Sequence, residues 1–124
     1  YAYRGVSEEV ITEGEFTVMM SESLASVLLT NLLKNAFVHV TEGGVIRILF
    51  TTEAMVVANS GEQPLDSERI FERFYQGHKK EGSTGLGLAL AESVCKSSGL
   101  DIRYEFTEGM HRFTVSRSGS ERVG

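Results

Sequence analysis

The sequence predicts an α+β fold, a two-layer α/β sandwich in which a mixed, mostly antiparallel sheet of about five strands packs on about three helices. Three observations predict it. A long apolar helix pattern falls between a strand pattern and a hairpin pattern. A second hairpin pattern follows the last helix. The helices do not alternate one-for-one with strands, which argues against a doubly wound parallel sheet. With 124 residues, 41% hydrophobic and 23% charged, the chain suits one domain with a packed core.

Tyr1 to Glu9 is polar and carries no pattern. Val10 to Met20 alternates loosely, with Phe16 and Val18 on one face, and reads as a strand after a Glu13-Gly14 turn. Ser21 is placed to cap a helix over Glu22 to Val40. That helix is apolar nearly all round and is expected to be largely buried. Val45 to Phe50 and Met55 to Ala58 read as a hairpin turning at Thr51-Thr52-Glu53. After Asn59-Ser60-Gly61, Asp66 is placed to cap a short helix over Ser67 to Phe74. A polar segment, Gln76 to Ser83, leads to the helix over Leu86 to Ser98, which Gly99 stops. Ile102 to Phe106 and Phe113 to Val115 form the second hairpin, turning at Glu108-Gly109. Residues 1–9 and 117–124 are expected to be peripheral, the latter as a frayed tail.

The chemistry centres on Gly82-Ser83-Thr84-Gly85-Leu86-Gly87-Leu88. Glycine lets a backbone approach a ligand closely, and the helix that follows points free N–H groups and its positive dipole end at the loop. Together they suit an anion, most often a phosphate. A polar stripe interrupts the first helix: Asn31, Asn35 and His39 recur every four residues and share one face. Each amide can cap nearby backbone; the alternative is a ligand-facing stripe. A carboxamide oxygen facing a phosphate loop suits Mg2+, which takes few protein ligands together with phosphate oxygens and waters. Asn59 offers an acceptor at a strand end, and Gly61 permits close approach to a flat ligand. Ile70-Phe71-Glu72-Arg73-Phe74-Tyr75 reads as aromatic packing anchors before a segment able to close as a lid. Lys79 and Lys80 are candidate phosphate cations or solvated surface lysines.

These stretches resemble, in family order, the boxes of the sensor histidine kinases. Asn31 to His39 is similar to the N box, Asn59-Ser60-Gly61 to the first glycine box, Ile70 to Tyr75 to the F box, and Ser83 to Leu90 to the second glycine box. The resemblance spans about residues 20 to 116. It implies the Bergerat fold shared with gyrase, MutL and the ninety-kilodalton chaperone. It also implies an enzyme that binds ATP and passes the γ-phosphoryl group to a histidine on a separate dimerisation domain, upstream of a response regulator. By the same resemblance Asn35 holds Mg2+, and His39 lies beside the nucleotide. Asn59 reads the adenine amino group, and Thr84, Gly85, Leu86, Gly87 and Leu88 hold the phosphates. Asn31, Gly61, Phe71, Tyr75 and Ser83 complete the nucleotide site.

The sequence departs from the family where Asn59 replaces an aspartate, Ser83 a glycine, and Val38 and Gln76 frequent cations. Arg73, Lys79 or Lys80 would then supply the missing charge. Asn31 stands where ATPase and serine-kinase relatives carry a glutamate base, and an amide cannot take a proton. That favours a histidine acceptor, whose neutral imidazole already has a lone pair. Two alternatives stay open, a degenerate pseudokinase scaffold and a serine kinase of the anti-sigma type. His39, His78 and His111 do not sit in an upstream helical hairpin, so the isolated chain is not expected to phosphorylate itself. The reading is a catalytic fragment of a larger sensor protein.

Net charge −5 argues against nucleic acid as a partner. No apolar run reaches the roughly 18 residues of a membrane span, so this segment is not expected to insert in a bilayer. A cytoplasmic setting is expected, and Cys95, the single cysteine, reads as a small core residue.

Overall fold

The structure, a computed structural model, describes residues 5–73, 75 and 86–118. In chain order the elements are β1 (Ser7–Thr12), α1 (Glu22–His39), β2 (Val45–Phe50), β3 (Ala54–Ser60), α2 (Gly87–Ser97), β4 (Leu100–Thr107) and β5 (Met110–Arg117). The strands form one five-stranded sheet in the order β1-β2-β3-β5-β4. β1 runs parallel to β2, and the other three ladders are antiparallel. The predicted mixed, mostly antiparallel sheet is therefore present. Among the described residues it carries two helices, where about three were expected.

Strand register explains the core. Ile48 pairs with Val57, Val57 with Phe113, and Phe113 with Tyr104, so these four side chains share one face. Two residues along, Phe50, Met55, Val115 and Ile102 do the same. Both helices pack on this inner face and on each other. Leu28, Leu32 and Ala36 of α1 and Ala91, Val94 and Cys95 of α2 are buried there. α1 is thus buried along one stripe and not all round: Val27, Leu29, Leu33 and Phe37 are half-buried, and Leu24 is exposed.

Local chemistry sets the element ends. Ser21 caps α1, its Oγ accepting from the Leu24 N–H at 3.1 Å, as its position predicts. Gly99 ends α2 with φ +72°, a left-handed conformation that disfavours any side chain. Glu108 and Gly109, both at positive φ, close the β4–β5 hairpin in two residues.

Four expectations are corrected. The first strand is Ser7–Thr12, ahead of the Glu13-Gly14 bend, and not the stretch up to Met20. Ser7 to Glu9 belong to it, so the polar start is part of the sheet. Residues 15–20 do alternate, with Phe16, Val18 and Met20 half-buried, but none of the described strands pairs with them. Residues 67–73 form turns and not a helix: Arg69 N–H donates to the Asp66 carbonyl and Glu72 N–H to the Arg69 carbonyl, three residues back each time. A short segment gains too few bonds to offset helix nucleation. Here Ile70, buried, and Phe71, against Phe113, instead anchor it to the core. Finally, Arg117 ends β5 and is not frayed; its guanidinium donates to the carbonyls of Thr17 and Thr52 at 3.0 and 2.7 Å.

Candidate functional site

The first helix brings its polar stripe to two other elements. Asn31, Asn35 and His39 are all half-buried along α1. Asn31 Nδ2 donates to the Val27 carbonyl at 2.8 Å, one turn back on its own helix. The capping role weighed for these amides is thus realised at Asn31. That bond aims Oδ1 at α2, where a Cβ built on Gly87 would lie 3.0 Å from it. The first residue of α2 therefore has almost no room for a side chain.

α2 opens without a side-chain cap. Leu86 stands at its N-cap position, and no acidic residue lies in the first turn. The N–H groups and positive dipole end of α2 thus lie beside the Asn31 carboxamide. Leu88 is half-buried and packs on the core.

At its other end α1 is tied to β3. Thr41 N–H donates to the Ser60 carbonyl at 3.2 Å, and Val45 N–H to Ser60 Oγ at 2.9 Å. A Cβ on Gly44 would lie 2.8 Å from Ser60 Cβ, which shows how closely the two elements meet. The Thr41–Ser60 bond sets the C-terminal end of α1, where His39 stands, near the end of β3 that carries Asn59 and leads into Gly61.

Asn59 is buried on the inner face, 1% exposed, flanked across the ladders by Ile46 and His111. Its Nδ2 donates to the Ser60 carbonyl at 3.0 Å, which leaves Oδ1 as the acceptor. His111 is 5% exposed and lies between the rings of Tyr104 and Phe106. The Tyr104 hydroxyl is 2.8 Å from His111 Nδ1 and accepts from the Leu65 N–H at 2.9 Å. Burial pushes the Tyr104 phenol above its usual range, against the pull of the Leu65 N–H. Gly61 lies on this histidine: a Cβ there would overlap His111 Nε2 and Cδ2.

Phe71 packs edge-on against Phe113, its ring centroid 6.2 Å away, so it serves as a core anchor. Tyr75 is half-buried under the Arg69 guanidinium, and Arg73 is exposed. Lys79, Lys80, Ser83, Thr84 and Gly85 lie outside the described residues.

Tyr104 and His111 are the site residues that sequence reasoning missed. A signal was present. The Glu108-Gly109 turn pairs Phe106 with His111, which sets a lone polar residue in the apolar stripe of Ile102, Tyr104 and Phe106. Ser60, which joins α1 to β3, gave no such signal, because a serine between Asn and Gly reads as a turn residue.

A five-stranded sheet thus carries both helices on one face, and an amide of the first helix meets the first residue of the second. The chain belongs to the family of histidine kinase-, DNA gyrase B- and HSP90-like ATPases, whose model matches residues 20–120. It is 36% identical over 94 residues to the sensor histidine kinase RppB of Synechocystis, matching 68% of this chain and 21% of that protein. It is 31% identical over 103 residues to the heme sensor protein HssS of Staphylococcus aureus, matching 77% of this chain and 22% of that protein. The chain thus spans about a fifth of the length of these relatives. The catalytic domain of histidine kinase ThkA shares the fold, with TM-score 0.79 and 24% identity over 93% of this chain and 80% of that one. So does full-length ShkA in complex with AMPPNP, with TM-score 0.75 and 22% identity over 92% of this chain and 26% of that one. The chain corresponds to the ATP-binding catalytic domain of the sensor histidine kinases.

Proposed function

We propose that this domain binds ATP with Mg2+ and donates the γ-phosphoryl group to a histidine on a separate dimerisation domain of the same protein, which passes it to a response regulator. The observation that carries the reading is the approach of Asn31 Oδ1 to Gly87, which joins the amide stripe to the first residue of α2. Phosphoryl transfer needs positioning and charge neutralisation more than covalent chemistry. The α2 N–H groups at Leu86, Gly87 and Leu88, with Ser83, Thr84 and Gly85 before them, hold the phosphates. Arg73, Lys79 and Lys80 are the candidate cations.

Asn35 fits the metal's needs. No bond to a described residue occupies its carboxamide, and it lies one turn beyond Asn31 on the same stripe. Among the described residues no group of three or more acidic, His or Cys side chains could hold a metal. A single amide with phosphate oxygens and waters suits Mg2+. When bound, Mg2+ would neutralise charge on the phosphates. At the base end, Asn59 Oδ1 accepts from the adenine amino group, Gly61 admits the ring closely, and His39 lies beside the nucleotide. Phe71 and Tyr75 line that end.

Asn31 cannot act as a base, and its Nδ2 is engaged with Val27. The acceptor must then arrive already nucleophilic, as a neutral imidazole does. No helix among the described residues is long and apolar enough to cross a membrane. We place the domain in the cytoplasmic part of its parent.

Calorimetry with ATP, with and without Mg2+, tests binding. Labelled ATP with an added dimerisation domain tests transfer. Label should appear on that domain's histidine and not on this chain alone. Stable phosphohistidine on the isolated chain, or no Mg2+-dependent ATP binding, would overturn the reading.

A further inference from the structure

We propose that His111 and Tyr104 are positioning residues for the loop 61–65, which they clamp at both ends beneath the base of the nucleotide. The inference rests on the nucleotide reading of Asn59 and Gly61. At one end, the His111 ring fills the space a Cβ on Gly61 would need, while Gly61 N–H donates to the Gly109 carbonyl at 2.9 Å. At the other end, Leu65 N–H donates to the Tyr104 oxygen at 2.9 Å. The two ends are joined by the 2.8 Å contact of the Tyr104 hydroxyl with His111 Nδ1. Since the phenol oxygen accepts from Leu65, its own proton is available to Nδ1. We therefore assign the imidazole proton to Nε2, which faces Gly61.

The clamp is built on a rigid base. Tyr104 and His111 stand on β4 and β5, the most extended hairpin of the sheet, and Tyr104 stacks on His111 and packs at a tilt against Phe113. Among the described residues the loop itself has no ladder partner beyond Ser60. Its path is therefore set by these side chains, and the position of Gly61 against a bound base follows from the His111 ring. A loop held in advance loses less freedom on binding, which favours affinity.

Calorimetric ATP affinity and the exchange rate of the Leu65 amide are measured on the whole 124-residue chain. Tyr104→Phe keeps the ring and removes the hydroxyl. It should speed Leu65 exchange and weaken ATP about tenfold, the effect of one hydrogen bond of typical strength. His111→Leu should weaken ATP as much. His111→Asn, whose Oδ1 sits where Nδ1 does and can accept from Tyr104 but which lacks the ring against Gly61, should restore part of the affinity, which a merely structural role would not predict. If His111→Leu does not fold, Tyr104→Phe and His111→Asn carry the test. Unchanged ATP affinity in Tyr104→Phe overturns the proposal, as does unchanged Leu65 exchange. Loss in His111→Leu without loss in Tyr104→Phe also overturns it, because His111 would then act without the clamp. A wild-type chain that fails to bind ATP refutes the nucleotide reading instead, and the exchange comparison still decides whether the clamp exists.

Discussion

The Asn31 carboxamide oxygen lies 3.0 Å from where a Cβ would stand on Gly87. That separation joins the middle of α1 to the first residue of α2. Asn31 has little freedom to yield, since its Nδ2 is held by the Val27 carbonyl. Gly87→Ala should therefore push the start of α2 away from the stripe. ATP affinity should fall about tenfold, roughly 1.4 kcal/mol. The thermal midpoint should change little, because alanine is the better helix former by about 1 kcal/mol. Calorimetry and a melting curve on the same sample check both halves.

Asn35→Ala should remove the Mg2+ dependence of nucleotide binding while leaving the fold intact. Asn35 is only half-buried, so its truncation leaves a small cavity at most. Titrations of ATP with and without Mg2+ should converge in the variant. A preserved difference between them would take Asn35 out of the metal site.

Gly61→Ala should destabilise the domain by about 1–3 kcal/mol, the usual cost of overpacking a filled space. The new methyl group meets the buried His111 ring. His111→Ala in the same chain should recover part of that loss, so a double-mutant cycle in urea should give a coupling of at least about 0.5 kcal/mol.

Arg117→Ala should cost about 1 kcal/mol of stability, from lost bonds to the Thr17 and Thr52 carbonyls and lost contact with the Phe16 ring. ATP affinity should be unchanged, since Arg117 stands at the far end of β5 from His111. Urea denaturation and calorimetry separate the two effects.

The Cys95 thiol is pushed up to about 11, first by burial and then by the negative charges of Glu92 and Asp101. Its folded value is raised above its unfolded one, so the neutral thiol favours the native state. That stabilisation is fully present below about pH 9 and is lost as pH rises toward 11, on the order of 2 kcal/mol in all. The urea midpoint should fall over this window. At pH 8 iodoacetamide should label Cys95 only on unfolding.

Several elements could be read directly from the letters. Ser21 ahead of an apolar run marks the start of α1, and Gly99 marks the end of α2, because caps act within one turn. β2 stands over Val45–Phe50 as its apolar run suggests. The first half of β1, Ser7 to Glu9, escaped the strand pattern because every residue of β1 is exposed, so no alternation in burial marks it. The stretch through Phe16 and Val18 misled for the opposite reason: it alternates in burial but packs by side chains alone.

The sequence by itself determined which residues are apolar, roughly where α1, α2 and the two hairpins lie, and which polar residues interrupt an apolar stripe. Those features depend on neighbours a few positions away. Only the tertiary structure decided that β1 runs parallel beside β2 and that β5 lies between β3 and β4. It alone set Asn31 against Gly87, Thr41 against Ser60, and His111 under Gly61. Each of these meetings closes a loop of the chain, and burying the shared apolar face of the sheet, not local propensity, repays the entropy of closing it.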